Sequence, residues 1–320
     1  MGLNVRIWID IFLLIVGFVV LVQSAKVFVN ASVEIAKRLK ISSIVIGLTV
    51  VAMGTSAPEL VISVSAAIGG SGELAVANVV GSNIFNLMVI VGFCAMLYPI
   101  DVKMRELSRD YWVSVAATVF LFVLVVLFRD TLPRLGSFIL LAGFVTYMVI
   151  IVRHALKDKM EDNETAQNNA KPKPLVRSVF FTLLGAGAII GGGQLTVASA
   201  IDIAMAIGIS ERVIGLTIVA MGTSLPELVT TLIACRKKEG EFAIGFIIGS
   251  SIFNLMFVLG LAGIIRPLAI ERGAILDLTV LVAGTLLFFI FARSSKRVVR
   301  MEGFAMVMIY ALYMGMVFLL

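Results

Sequence analysis

Ten apolar stretches, each long enough to cross a lipid bilayer, take up almost the whole of this chain. They lie at about 7–36, 42–68, 74–99, 111–128, 135–152, 177–206, 211–235, 242–266, 275–292 and 302–320. A helix rises 1.5 Å per residue, so roughly 20 residues cover the hydrocarbon core. Inside lipid every backbone group must pair within its own segment, and each stretch is therefore expected to be a helix. Hydrophobic residues make up 60% of the sequence and charged residues 14%. A water-soluble fold could not cover itself with so little polar surface. The expected class is an all-α membrane protein whose main partner is the lipid bilayer.

Composition also excludes several functions. The net charge of +6 sits in short loops between apolar stretches. No basic run alternates with aromatic residues as a base-stacking platform would, so no nucleic-acid partner is expected. Cys94 and Cys235 lie in apolar segments and suggest neither a disulfide nor a thiolate site. His154 is the single histidine, which rules out an imidazole-based metal centre. Neither a cofactor nor a catalytic group is expected. The first stretch has a counterpart near 178–208 and reads as a retained helix, not a cleaved signal.

The chain repeats itself. Val45–Val61 recurs 168 residues later as Val213–Val229, with fifteen of seventeen positions identical. At the same offset Gly81-Ser-Asn-Ile-Phe-Asn-Leu-Met88 pairs with Gly249-Ser-Ser-Ile-Phe-Asn-Leu-Met256. The polar stretch 153–176 separates residues 1–152 from 177–320, five expected spans on each side. Five is odd, so the second half must enter the membrane from the opposite face, giving two inverted five-helix repeats. Loop charges agree. With the N-terminus outside, the inner loops hold 19 Lys and Arg and the outer loops six. The positive-inside rule then places both termini outside and the linker in the cytoplasm of a multi-pass plasma-membrane protein.

Each repeat buries chemistry that lipid does not tolerate idly. Pro58 has no N–H for the carbonyl of Gly54, and Pro226 leaves Gly222 in the same position, so both helices are expected to break there. Freed carbonyls persist at membrane depth only where they line a cavity or meet a ligand. Thr55 and Glu59 are four residues apart on one face, with Ser56 beside them; Thr223, Ser224 and Glu227 repeat the set. On the next span Ser82 and Asn86, and again Ser250 and Asn254, add oxygens at the same spacing. An ionisable residue in a spanning helix usually marks an ion's path. Hard cations such as Ca²⁺ take six to eight oxygen ligands, and Na⁺ uses the same ligand type. Two carboxylates balance one Ca²⁺ or two Na⁺, and ions that compete for one site can be exchanged. Taken singly, the proline could be a kink, the glutamate a packing residue and the hydroxyls interhelical glue. Those readings leave the joint recurrence in inverted copies unexplained.

The duplicated Gly-Thr-Ser-x-Pro-Glu, each copy followed by Gly-Ser-(Asn/Ser)-Ile-Phe-Asn, resembles the two alpha repeats of the calcium/cation antiporter superfamily. The likeness covers essentially the whole chain and is nearest to the prokaryotic sodium/calcium exchanger-like members. It implies a secondary antiporter that moves Ca²⁺ against Na⁺ by alternating access. The implied cation ligands are Ala52, Thr55, Ser56, Glu59, Ser82 and Asn86, with Ala220, Thr223, Ser224, Glu227 and Ser250. Asn254 stands where well-known members have an aspartate, and Phe246 where the second repeat commonly has an asparagine. The resemblance also implies that the spans at 7–36 and 177–206 are long tilted helices that slide across the rest. H⁺ or K⁺ as counter-ion is the alternative on the same fold, a cation channel a more distant one, and a monomer is the expected state.

Overall fold

A computed structural model describes the backbone of residues 2–39, 41, 43–102, 104–128, 131–162, 175–207, 220–270, 273–294 and 296–319. The chain is mostly helical. Among the described residues seven helices are long and apolar enough to cross a membrane, and a bent pair makes an eighth.

Helix α1 spans Gly2–Leu39 without a proline to interrupt it. Its 38 residues extend to about 57 Å, well beyond the hydrocarbon thickness, so it must lie tilted. A second helix, α2 (43–55), is followed at a sharp bend by α3 (Ala57–Gly69). Then come α4 (Gly72–Leu97), α5 (Met104–Phe128) and α6 (Arg134–Asp162). In the second half, α7 spans Leu175–Ala206, another long helix. The stretch 208–219 lies outside the described residues. Beyond it are a single helical turn α8 (Ala220–Gly222) and then α9 (Leu225–Arg236). Helices α10 (Gly240–Ile265), α11 (Ala274–Ser294) and α12 (Arg300–Leu319) complete the chain.

The first and sixth expected spans pack together along most of their length as α1 and α7. Two glycines set that crossing. A Cβ on Gly192 would fall 2.8 Å from the Leu21 nitrogen, and one on Gly17 would fall 2.8 Å from the Thr196 nitrogen. Nothing larger than hydrogen fits where two backbones approach so closely. Both helices turn large apolar side chains outward, such as Phe12 at 64% and Leu183 at 64% exposure. Such faces suit lipid.

Short antiparallel ribbons tie the halves together. Strand β1 (Ile100–Asp101) pairs with β4 (Arg297–Val298), and β2 (Thr131–Leu132) pairs with β3 (Leu268–Ala269). Each ribbon takes one strand from each half of the sequence. Helix packing follows the same exchange: the end of α4 packs on α12, and the end of α10 on α6. The most thoroughly buried helix is α10, with 94% of its core window inside the protein. Cys94 and Cys235 are both buried as free thiols beside one another where α4 meets α9.

Candidate cation site

The first Gly-Thr-Ser-x-Pro-Glu segment bends the chain by 50° between α2 and α3. Ser56 is the pivot, at φ −82° and ψ 12°, and Pro58 enters the first turn of α3, where its missing N–H costs nothing. The second copy ends α8 at Gly222 and restarts at Leu225, with Ser224 in nearly the same conformation at φ −91° and ψ 6°. Both expected breaks are therefore present, each at the serine two residues before the proline.

Their hydrogen bonding differs. The Ser56 amide donates to Ala52 O at 3.1 Å, whereas the Ser224 amide donates to Met221 O at 3.2 Å. The Ala52 carbonyl thus stays in the helical ladder and also faces Thr55 Oγ1 at 3.4 Å. The Ser224 amide instead makes the tighter bond, three residues back. Of the two expected carbonyl ligands, Ala52 is already engaged.

The carboxylates come together as the spacing requires. Glu59 and Glu227 are both fully buried and close enough to interact. Ser56 Oγ donates to Glu227 Oε1 at 3.2 Å, reaching across from the other half of the chain. Thr223 lies alongside Glu59, and Thr55 alongside Glu227, so each carboxylate is flanked by the hydroxyl of the other motif. Thr55, Ser56, Ser82, Asn86, Ser224, Ser250 and Asn254 are all buried, and Thr223 is partly buried.

Buried polar atoms in proteins almost always find partners, and exceptions call for an explanation. Here they cluster. Among the described residues, both carboxylate oxygens of Glu59, Oε2 of Glu227, Oγ of Ser224 and Ser250, Oδ1 of Asn254 and both polar atoms of Asn86 have no hydrogen-bond partner. Seven of these eight atoms carry lone pairs only, or can turn them inward, which is what a hard cation requires; Asn86 Nδ2 is the exception. Ser82 differs, since its hydroxyl donates to Val79 O at 3.1 Å. No group of three or more His, Cys, Asp or Glu is present among the described residues. The cluster depends instead on two acids surrounded by neutral oxygens.

Three features escaped the sequence reading. Asn86 opens a π-helical turn (Asn86–Ile90), Asn254 lies in another (Phe253–Val258), and a third (Gly47–Val51) precedes the first break. Such turns swing a side chain out of helical register and recur at functional sites. The π-turn of α4 packs on α9 and that of α10 packs on α3, so each asparagine approaches the glutamate helix of the other half. The second feature explains Phe246. In the first half Asn78 Nδ2 donates to Glu59 O at 3.3 Å and to Ser63 Oγ at 3.0 Å. In the second half Thr231 Oγ1 donates to Glu227 O at 2.7 Å, so the backbone oxygen is satisfied without an asparagine and Phe246 can pack as an apolar residue. The third is Asn83, whose side chain accepts from Asn254 Nδ2 at 3.4 Å. Its place inside the repeated octapeptide was the one available sign. Glu73 and Glu241 lie in the first turns of α4 and α10, where helix-end charge is their ordinary role.

Fold and cluster together define a polytopic helical protein with paired carboxylates at its centre, the makings of an ion transporter. The chain belongs to the sodium/calcium exchanger protein family, whose model matches residues 9–153 and 177–319, and so to the calcium/cation antiporter superfamily. It is 38% identical to the putative antiporter CaxA of Alkalimonas amylolytica over 95% of this chain and 97% of that protein. It is 32% identical to the sodium/calcium exchanger MaX1 of Methanosarcina acetivorans over 98% of this chain and 99% of that one. The structure superposes on the sodium-calcium exchanger NCX_Mj with a TM-score of 0.83 at 29% identity, covering 97% of this chain and 98% of that one. These relatives are exchangers and antiporters, and the protein is accordingly a membrane transporter of the antiport class and not an enzyme.

Proposed function

We propose that the protein exchanges Ca²⁺ for Na⁺ across the cell membrane, with the cluster around Glu59 and Glu227 as the common binding site. One observation carries the reading: two glutamates from opposite halves lie buried side by side amid oxygens that lack hydrogen-bond partners. Glu59 and Glu227 would carry the negative charge. Thr55, Ser56, Ser82, Asn86, Thr223, Ser224, Ser250 and Asn254 would supply neutral oxygen, with the carbonyls of Ala52 and Ala220 beside them.

The architecture we infer is ten spanning helices in two inverted repeats, 1–152 and 177–320, joined by a cytoplasmic linker at 153–176, both termini outside, acting as a monomer. Its support is the exchange of equivalent contacts between the halves. Alternating access would follow from moving the α1–α7 pair across the remaining helices, which would open the site to one side at a time.

Charge bookkeeping limits the counter-ion. With Asn254 neutral, two carboxylates are balanced by one Ca²⁺, two Na⁺ or two H⁺. A proton-coupled antiporter on the same site is therefore the second reading. Reconstituted protein loaded with Na⁺, K⁺ or acid in separate trials distinguishes them, with ⁴⁵Ca²⁺ uptake as the readout. Uptake driven by Na⁺ alone is expected, and uptake driven only by a pH gradient would transfer the reading to H⁺. Glu59→Gln and Glu227→Gln are each expected to abolish uptake, because one neutralised ligand leaves a divalent ion poorly compensated in low dielectric. Undiminished uptake in either variant would remove that residue from the site.

A further inference from the structure

Beside the cation cluster lies a second small space, of mixed polar and apolar lining, that the exchange reading does not use. It sits between α4, α5, α10 and α11, where Asn83, Ser114, Thr118, Ser251 and Thr285 line it together with two aromatic rings and four aliphatic side chains. Asn83 and Ser251 are separated by 168 residues, the repeat offset itself, and Asn83 Nδ2 donates to Ser251 O at 3.3 Å. Equivalent positions can touch only near the axis that relates the two halves.

The hydrogen bonds determine what the space can accept. Thr118 Oγ1 donates to Ser114 O at 2.8 Å, Thr285 Oγ1 to Leu281 O at 2.7 Å, and Ser251 Oγ to Ile247 O at 3.0 Å. Tyr111 donates its proton to Thr285 O at 2.7 Å. Every one of these hydroxyl protons is spent on backbone, so lone pairs are what the hydroxyls have left to offer. Asn83 uses one Nδ2 hydrogen on Ser251 O and its Oδ1 on Asn254, which leaves a second N–H. A guest must therefore donate to hydroxyls and tolerate an amide donor. Water does both, whereas a monovalent cation would meet the N–H unfavourably. The space free to the centre of a water-sized sphere is about 10 Å³, close to the minimum for one molecule.

Asn83 also governs its neighbour. Because Asn254 Nδ2 is committed to Asn83, the end of that carboxamide left over is Oδ1, buried and without a partner. We propose that one water molecule held by Thr118, Thr285 and Asn83 fixes the Asn83 side chain, which in turn keeps the Asn254 oxygen turned toward the transported cation. Asn83 is then a positioning residue for cation affinity. The inference rests on the cation-site reading above.

The test uses full-length protein. A high-resolution structure grown in rubidium chloride should show one water-sized peak in this space without anomalous signal from Rb⁺. Asn83→Leu should raise the KM for Ca²⁺ uptake about tenfold while the maximal rate changes by no more than about twofold. The isosteric pair Thr118→Val and Thr285→Val, made together, should raise it about threefold, the loss of a weak hydrogen-bond link. Adding Asn254→Asp to Asn83→Leu should restore affinity, because a carboxylate presents oxygen whichever way it turns. A dry pocket, a rubidium peak, an unchanged KM in Asn83→Leu, or a loss that Asn254→Asp does not rescue would each overturn the proposal. Absence of Ca²⁺ flux in the unaltered protein would refute the exchange reading instead, and the water peak would then decide this one alone.

Discussion

The two flanks of the cation cluster share nearly identical motifs and yet differ in packing. On one flank α1 lies along α9, the helix that carries Glu227. On the other, α7 stands off from α3, the helix that carries Glu59. A crevice of about 360 Å³ separates α7 from α3 and reaches Pro58, Thr223 and Pro226 at the two breaks. The difference comes from residues outside the motifs. Lys237, just past the end of α9, donates through Nζ to Lys26 O at 3.0 Å and to Asn30 Oδ1 at 2.5 Å on α1. At the 168-residue offset the counterparts are Gly69, Gln194 and Ala198, which cannot form that latch. A duplicated motif thus supplies two equivalent halves of a site, and its neighbours decide which flank stays closed. In the orientation proposed above, the open crevice faces outward.

The largest expected effect comes from filling the crevice. Ala198→Trp should lower ⁴⁵Ca²⁺ uptake more than about tenfold, since a barrier change near 1.4 kcal/mol suffices for that factor. Leu183→Trp, on the lipid-facing side of the same helix, should leave the rate nearly intact. Equal rates in all three proteins would mean that the crevice is not on the ion's route, and the contrast between the flanks would lose its functional meaning.

A smaller effect sharpens the same contrast from its closed side. Lys237→Met removes both hydrogen bonds to α1, and hydrogen bonds to a charged group at a partly exposed position contribute on the order of 1 kcal/mol net. Spin labels at Ile62→Cys and Val197→Cys report the width of the crevice. Without the latch the wide population should fall by about three- to tenfold relative to the narrow one. An unaltered distance distribution would show that packing of α1 on α9, and not Lys237, holds that flank shut.

Much of this was legible in the sequence, for identifiable reasons. Hydropathy located the helices because lipid forces every backbone group to pair within its segment. Duplication pointed to the cluster because the same hydroxyls, amides and glutamate recur at one offset, but the break at Ser56 sets Thr55 beside Glu227 and not on one helical face with Glu59. What could not be read depends on three-dimensional neighbours. The π-turn at Asn86 has no composition cue, since Asn-Leu-Met-Val-Ile would serve equally well in an α-helix. That Ala52 O is engaged while the Ser224 amide bypasses Ala220 follows from tight turns whose sequences are almost the same. That Asn78 reaches the Glu59 carbonyl requires knowing which helix lies next to which, whereas Thr231 meets the Glu227 carbonyl within its own helix. The same holds for the latch, whose donor and acceptors are more than 200 residues apart.

The smallest effect follows from the titration of that latch. Burial and the nearby Lys26 ammonium lower the Lys237 pKa from its ordinary 10.5, while Glu239 acts in the opposite direction. Released from α1 into water, the side chain would recover the ordinary lysine value. Between the lowered value and the ordinary one, the latched state binds fewer protons than the released state. Raising the pH through that window therefore favours the latched state, because the state with fewer bound protons gains as protons become scarce. The neutral amine still donates, so the contacts to Lys26 O and Asn30 survive deprotonation. Lys237 is only partly buried, so water screens the effect and limits the expected change in wide-to-narrow population to about twofold or less. The wide crevice population between labels at 62 and 197 should rise gently with pH in the unaltered protein and stay flat in Lys237→Met. A fall with rising pH would mean that the charged ammonium, and not the geometry of its donors, is what binds α1 to α9.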